Sequence, residues 1–249
     1  KTRNPVIAGS AMVTGMLLAM TLPATVPYWL VVAGSAFAII FVKALCGGLG
    51  QNVFNPALSA RGFMLMIAPA YMVAFEGLDG VTAATPLAAM HQGQLPEADL
   101  LDAFLGNIGG CIGETSVVLL LLGFVYLLVR RVLTWRIPLT FIGTVAVLTL
   151  IFPQGNGNFT WMLSQLFAGG LFLGAIFMAT DYVTSPLTHL GQIVFGIGCG
   201  VLTVVIRYFG GYPEGVSYAI LIMNICVVLL DRIGRPRKFG APKKEVAKK

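Results

Sequence analysis

Long apolar runs, broken at intervals by glycine, proline and asparagine, dominate this chain. Eight of them approach the roughly 20 apolar residues that a helix needs to cross a bilayer. They lie near 6–24, 29–46, 54–75, 105–129, 135–152, 161–180, 190–209 and 214–231. A membrane helix tolerates such interruptions where neighbours or a cavity satisfy the freed backbone groups, so each break marks a candidate site. The pattern predicts an all-α integral membrane protein with about eight transmembrane helices. A single polytopic domain covers 1–231, and a basic tail follows over 232–249.

Composition sharpens this picture. Of 249 residues, 57% are hydrophobic and 10% charged, with mean hydropathy +0.86; a soluble domain carries about 25% charged residues. The net charge of +6 would suggest nucleic acid for a soluble protein. Here eight of the sixteen Lys and Arg residues follow Asp231, which fits a cytoplasmic tail beside anionic lipid and excludes a nucleic-acid partner.

The same residues orient the chain. With the N-terminus inside, the inner segments hold Lys1, Arg3, Lys43, Arg130, Arg131, Arg136 and the tail. The outer segments hold only Arg207, at a span end where it can snorkel. The loop 76–103 has no Lys or Arg but carries Glu76, Asp79, Glu97, Asp99 and Asp102. It is expected to be extracytoplasmic, and the C-terminus cytoplasmic.

An internal likeness gives the same topology. The stretch TGMLLAMTLPATVP (14–27) overlays LGAIFMATDYVTSP (173–186), sharing Gly15/Gly174, Thr21/Thr180, Thr25/Thr184 and Pro27/Pro186. Each copy is followed by a basic residue (Lys43, Arg207) and a Gly-Gly pair (Gly47–Gly48, Gly210–Gly211). Opposite orientations would make this an inverted-repeat, transporter-like architecture. A five-span unit used twice implies two further spans before Lys1, ten in the full protein.

Four polar stretches carry the candidate chemistry. In DGVTAATPL (79–87), a turn at Asp79-Gly80 leaves the T-x-x-T-P ending unexplained. The pattern D-G-x-[ST]-x-A-T resembles the acceptor sequence of ApbE-type flavin transferases, which place FMN on a threonine hydroxyl through a phosphoester. By that resemblance Thr85 is the acceptor, and Asp79, Gly80, Thr82 and Ala84 are recognition positions. In GGLGQNVFNPALSARGF (47–63), Asn52 and Asn55 can donate and accept, which suits the uracil-like edge of a flavin ring. In GGCIGETSVV (109–118), Glu114 with Gly113, Thr115 and Ser116 enters an apolar run near the Thr85 loop. An intramembrane Glu is a candidate proton carrier, cation ligand or flavin contact. In ATDYVTSPLT (179–188), Asp181, Thr184 and Ser185 fall at an inner span end. The four cysteines form no C-x-x-C pair and read as small buried hydrophobes. The two histidines lack a ligand-spaced partner, so no protein-only metal site is expected.

Together these stretches resemble the RnfD/NqrB family of membrane subunits from about Arg3 to Gly240, including GGYPEGVSYAILIMN (210–224). The ATPL that ends the first motif favours the RnfD branch. The resemblance implies a subunit of an ion-translocating (Na⁺ or H⁺) ferredoxin:NAD⁺ oxidoreductase in a bacterial or archaeal plasma membrane. It implies covalent FMN on Thr85 and a noncovalent riboflavin or second FMN contacted by Asn52 and Asn55, near Asp181, Thr184 and Ser185. Implied partners are RnfA/RnfE-, RnfB-, RnfC- and RnfG-like subunits and an ApbE-type transferase. The alternatives are an NqrB-type subunit of a Na⁺-translocating NADH:quinone reductase, a channel built around Asn55-Pro56-Ala57, and a purely structural membrane scaffold.

Overall fold

The computed structural model describes residues 5–46, 50–75, 85–96, 99–155, 157–211 and 214–234, which are helical without strands. Helix α1 (Pro5–Met20) is followed by α2 (Tyr28–Ala36), which widens into a π-helical segment, Phe37–Ala44. After α3 (Pro56–Ile67) come three short pieces: α4 (Pro69–Met72), α5 (Pro86–His91) and α6 (Leu100–Leu105). The second half holds α7 (Val117–Val129), α8 (Arg136–Ile151), α9 (Asn158–Phe167) and α10 (Leu171–Leu173), the last running into a second π segment, Gly174–Met178. Helices α11 (His189–Phe209) and α12 (Val216–Leu230) complete it.

Local chemistry sets the ends. Helix α3 starts at Asn55-Pro56: proline is preset for the first helical position, and the Asn55 Oδ1 accepts from Ala57 N–H and Leu58 N–H at 3.0 and 3.2 Å. It stops at Ala68, because Pro69 has no N–H to continue it.

The apolar stretches are helical, but the helices are shorter than the sequence pattern suggested. Among the described residues, only His189–Phe209 is by itself long and apolar enough to cross a membrane. Asn158–Phe167 and Leu171–Met178 pass the same test together, bent by 62° at the glycine break. The stretch 105–129 turns helical only at Val117, because Gly106 adopts φ 106° and 107–116 is non-helical. The expected loop 76–103 contains α5 and the start of α6; its residues 76–84 and 97–98 lie outside those described.

Two large apolar cores result among the described residues, beside a small third one of Leu87, Met90, Trp161 and Ala168. One joins Leu18, Leu30, Ala57, Met64 and Met72 from α1 to α4. The other joins Leu120, Phe141, Ile176, Phe195 and Ile220 from the second half. Helix α12 packs on both α11 and α3 and so bridges them. The surface inverts the usual distribution. Met12, Val32, Leu122, Val129, Phe209 and Val228 are exposed, whereas Arg61, Glu114, Gln165, Thr203, Arg207 and Asn224 are buried. Arg207 therefore does not snorkel. It is 2% exposed and donates to the Gln165 and Ala168 carbonyls.

Helices α8 and α11 approach most closely along a glycine seam. A Cβ on Gly196 would lie 2.0 Å from Thr140 Oγ1, and one on Gly200 2.6 Å from Thr144 Cβ with the Phe141 carbonyl at 3.0 Å. Glycines four apart admit the neighbouring backbone, as small residues do between membrane helices. Gly143, in α8, has nothing within 4 Å of that position. Gly200→Ala is expected to destabilise the protein by about 1–3 kcal/mol through overpacking. Gly143→Ala should be neutral or slightly stabilising. Thermal unfolding midpoints of the two purified variants check the contrast.

Candidate functional site

Two pockets lie where helices break. The first is bordered by Thr85, with Leu65, Met72, Phe75, Leu87 and Tyr218 as apolar wall and Arg61, Glu114, Thr115 and Glu214 as polar lining. Thr85 is the N-cap of α5, its Oγ1 accepting from Ala88 N–H at 3.3 Å. Below it, α3 carries Arg61 inward, 2% exposed. Its guanidinium pairs with Glu214, donates to the Thr21 carbonyl at the end of α1, and lies 3.6 Å from Cys111 Sγ. Glu114 is 7% exposed. Its Oε1 accepts from Cys111 N–H at 3.2 Å, and its Oε2 has no hydrogen-bond partner. The enclosed part of this cleft is small, about 60 Å³.

The second pocket, about 500 Å³, lies between α1, the first π segment, the α3 start and 176–183. Lys43 reaches into it while donating to the Ser10 carbonyl (3.0 Å) and Thr14 Oγ1 (3.1 Å). Asn52, Asn55 and Asp181 line it as well. The Asn52 Oδ1 is buried and has no partner among the described residues, an unused acceptor at this pocket. Asn55 is committed to the fold. Besides capping α3, its Nδ2 donates to the Met178 carbonyl at 3.1 Å, closing the end of the second π segment.

Of the residues singled out from the sequence, Thr85, Glu114 and Thr115 meet at the first pocket, and Asn52, Asn55 and Asp181 at the second. Asp79, Gly80, Thr82 and Ala84 lie outside the described residues. Gly113 and Ser116 shape the loop and do not line the pocket. Gly113 N–H donates to the Met20 carbonyl at 2.8 Å, where a Cβ would strike the Met20 side chain, and Ser116 caps α7. Thr184 supports Asp181, its Oγ1 donating to Asp181 Oδ2 at 3.2 Å. The Ser185 N–H donates to the Asp181 carbonyl at 3.0 Å.

Sequence reasoning gave no role to Arg61, Glu214 or Asn224, and none to Lys43 beyond orientation and the repeat. A charge inside an apolar run was the available signal for Arg61. Asn224 offered only a polar residue within α12. Its amide joins both halves, with Oδ1 toward Asn55 N–H (3.2 Å) and Nδ2 toward the Thr184 carbonyl (3.1 Å).

With this geometry in place, the comparisons decide the family. The family model described as NQR2, RnfD, RnfE matches residues 1–240. The chain belongs to the NQR2, RnfD, RnfE family. Among curated members, a subunit of the Na(+)-translocating ferredoxin:NAD(+) oxidoreductase complex of Acetobacterium woodii is 46% identical over 94% of this chain and 74% of its own length. Its counterpart in the proton-translocating ferredoxin:NAD(+) oxidoreductase complex of Clostridium ljungdahlii is 45% identical over 96% and 78%. The counterpart in the ion-translocating oxidoreductase complex of Stutzerimonas stutzeri is 43% identical over 93% and 76%. The NQR2, RnfD, RnfE match spans both pockets.

The two asparagines of the second pocket differ in what they hold. Asn55→Ala removes a helix cap and the bond to Met178, and should cost about 2 kcal/mol of stability. Asn52→Ala removes an acceptor that has no protein partner and should leave the unfolding midpoint within experimental error. Equal losses in thermal unfolding would contradict this division.

Proposed function

We propose that this chain is a membrane-embedded electron-transfer subunit of an ion-translocating ferredoxin:NAD⁺ oxidoreductase complex of the Rnf type. It carries FMN esterified to Thr85 and a second, noncovalent flavin in the pocket of Lys43, Asn52 and Asp181. The relatives' names supply the complex. The observation that carries the site is Thr85 itself: the last residue of D-G-V-T-A-A-T stands at the rim of a cleft whose lining holds Arg61, Glu114 and Glu214.

The residues fit the two groups differently. The second pocket has the volume of a small-molecule site and an unsatisfied acceptor at Asn52. The Thr85 cleft offers donors and charge suited to a flavin, but its enclosed 60 Å³ admits water rather than three fused rings. Thr85 would supply the anchoring hydroxyl, with Arg61, Glu114 and Glu214 the polar groups beside it. When bound, the flavins carry the electrons. The chain fixes their positions and the charge around them. Lys43 places a cation opposite Asp181 in one pocket, and Arg61 offsets two carboxylates beneath the other.

An apolar exterior, with Arg61, Glu114, Arg207 and Asn224 turned inward, supports residence in lipid. The repeat gains support from its two basic residues. Lys43 donates to Ser10 O of α1, and Arg207 to Ala168 O at the end of α9, so each ties down the helix that leads to its copy's Thr-and-Pro loop. The channel alternative loses ground, because the Asn55 amide is spent on the α3 start and on Met178. The relatives named for Na⁺ and for protons are nearly equally similar to this chain. Overall similarity thus does not track the transported ion. Other Rnf subunits and an ApbE-type transferase are the partners this reading requires.

Denaturing electrophoresis followed by flavin fluorescence tests the assignment. Thr85→Ala should abolish the fluorescent band and leave extractable flavin unchanged, while Asn52→Leu should do the reverse. A band of equal strength in Thr85→Ala would refute the attachment site.

The charge bias supports a topology with residues 76–103 outside, and 130–136 and the tail inside. In a background without native cysteines, intact cells should label Gln94→Cys with an impermeant maleimide and spare Lys244→Cys. The opposite pattern would place Thr85 in the cytoplasm.

A further inference from the structure

The Arg61–Glu214 pair leaves a second carboxylate close by and unspent. Glu114 is buried, with one oxygen on Cys111 N–H and the other, Oε2, bonded to nothing. That free oxygen faces the helix break at Gly169–Gly170. A Cβ on Gly170 would lie 2.5 Å from Glu114 Oε2 and 3.0 Å from Glu214 Oε1, so both oxygens converge on the space that glycine leaves open. The groups facing them are Arg61 from α3, Cys111 from the 107–116 loop, Tyr218 from α12, which lines the same cleft, and Arg207 from α11. The Arg207 Nη2 lies 3.6 Å from the Cβ position of neighbouring Gly169.

Two carboxylates this close in a buried site do not both ionise readily. Arg61 already pairs with Glu214, whereas Glu114 has no cation of its own at hydrogen-bond distance among the described residues. Glu114, held by one backbone N–H and with a bare oxygen aimed at its neighbour, is then the acid. A proton on Oε2 converts an unsatisfied acceptor into a donor directed at Glu214 Oε1.

We propose that Glu114 and Glu214 share one proton above Gly170, and that this pair is the exchangeable proton site of the Thr85 cleft. Release of the proton leaves a Glu114 carboxylate facing two arginines. Uptake restores an acid hydrogen-bonded to Glu214. No other bond changes. The site deepens the flavin reading by giving the cleft a group that adjusts its charge, and in that role it rests on that reading; the pair itself exists without the flavin.

Infrared difference spectroscopy of the intact complex tests this. Wild type minus Glu114→Gln at neutral pH should show the carbonyl stretch of a protonated carboxylic acid, shifting to lower frequency in D₂O. The glutamine variant should fold, because its amide can accept from Cys111 N–H and donate to Glu214. Gly170→Ala puts a methyl between the two oxygens and should displace the band without abolishing it, which keeps the test decisive if the glutamine variant is lost. Thr85→Ala protein, lacking covalent flavin, should retain the band. Absence of the band from the wild-type difference, or its persistence in Glu114→Gln, overturns the shared proton. Loss of the flavin without loss of the band separates failure of this proposal from failure of the Thr85 assignment.

Discussion

Every interrupted helix leaves carbonyl groups that its own turns cannot satisfy, and in an apolar surround no water does so instead. Three side chains take up this requirement. Arg61 reaches Thr21 just past α1, Arg207 reaches Gln165 and Ala168 at the end of α9, and Asn55 reaches Met178. Two of the three are charged, and all three are almost wholly buried. The breaks could not stand without them, and the pockets could not stand without the breaks.

This repair chemistry and the functional chemistry are therefore one arrangement. A cation brought in to hold a carbonyl also sets the charge of the cavity beside it. Arg61 does both, since the guanidinium that fixes α1 also pairs with Glu214 under Thr85. At the second pocket the roles divide: Asn55 holds the backbone, while Asn52 keeps an acceptor free and Lys43 supplies the charge. Two asparagines that look equivalent in the sequence differ because only one precedes a proline at a helix start.

The sequence made the helical class and the positions of the apolar segments legible, because both depend on local composition. Segment lengths were not. A run such as 105–129 is apolar on average, yet Gly106 with its positive φ and the polar, glycine-rich stretch up to Ser116 keep most of its first part out of the helix. Hydropathy does not register that. Thr85, Asn52 and Glu114 were legible as polar residues out of place. Arg61 and Glu214 are separated by 153 positions, and only their charges hinted at a pair. Arg207 was misread because a basic residue near a span end ordinarily finds the interface; here the end of α9 offered it carbonyls inside.

The glycine seam between α8 and α11 has a mechanical consequence. Where a glycine receives a threonine side chain and a backbone carbonyl at this range, little room is left for rotamers to exchange, so the contact has few alternative arrangements to move between. Those two helices behave as a single beam. Displacement between the two halves of the molecule must then be absorbed elsewhere, at the softer contact of α12 with α3, where Gly62 faces Leu221 at an ordinary van der Waals distance of 3.8 Å. That contact is also the one spanned by the Arg61–Glu214 pair and by the Asn55–Asn224 bond. Any such flexing would fall beside the first pocket, which Arg61 and Leu65 of α3 and Tyr218 of α12 line together.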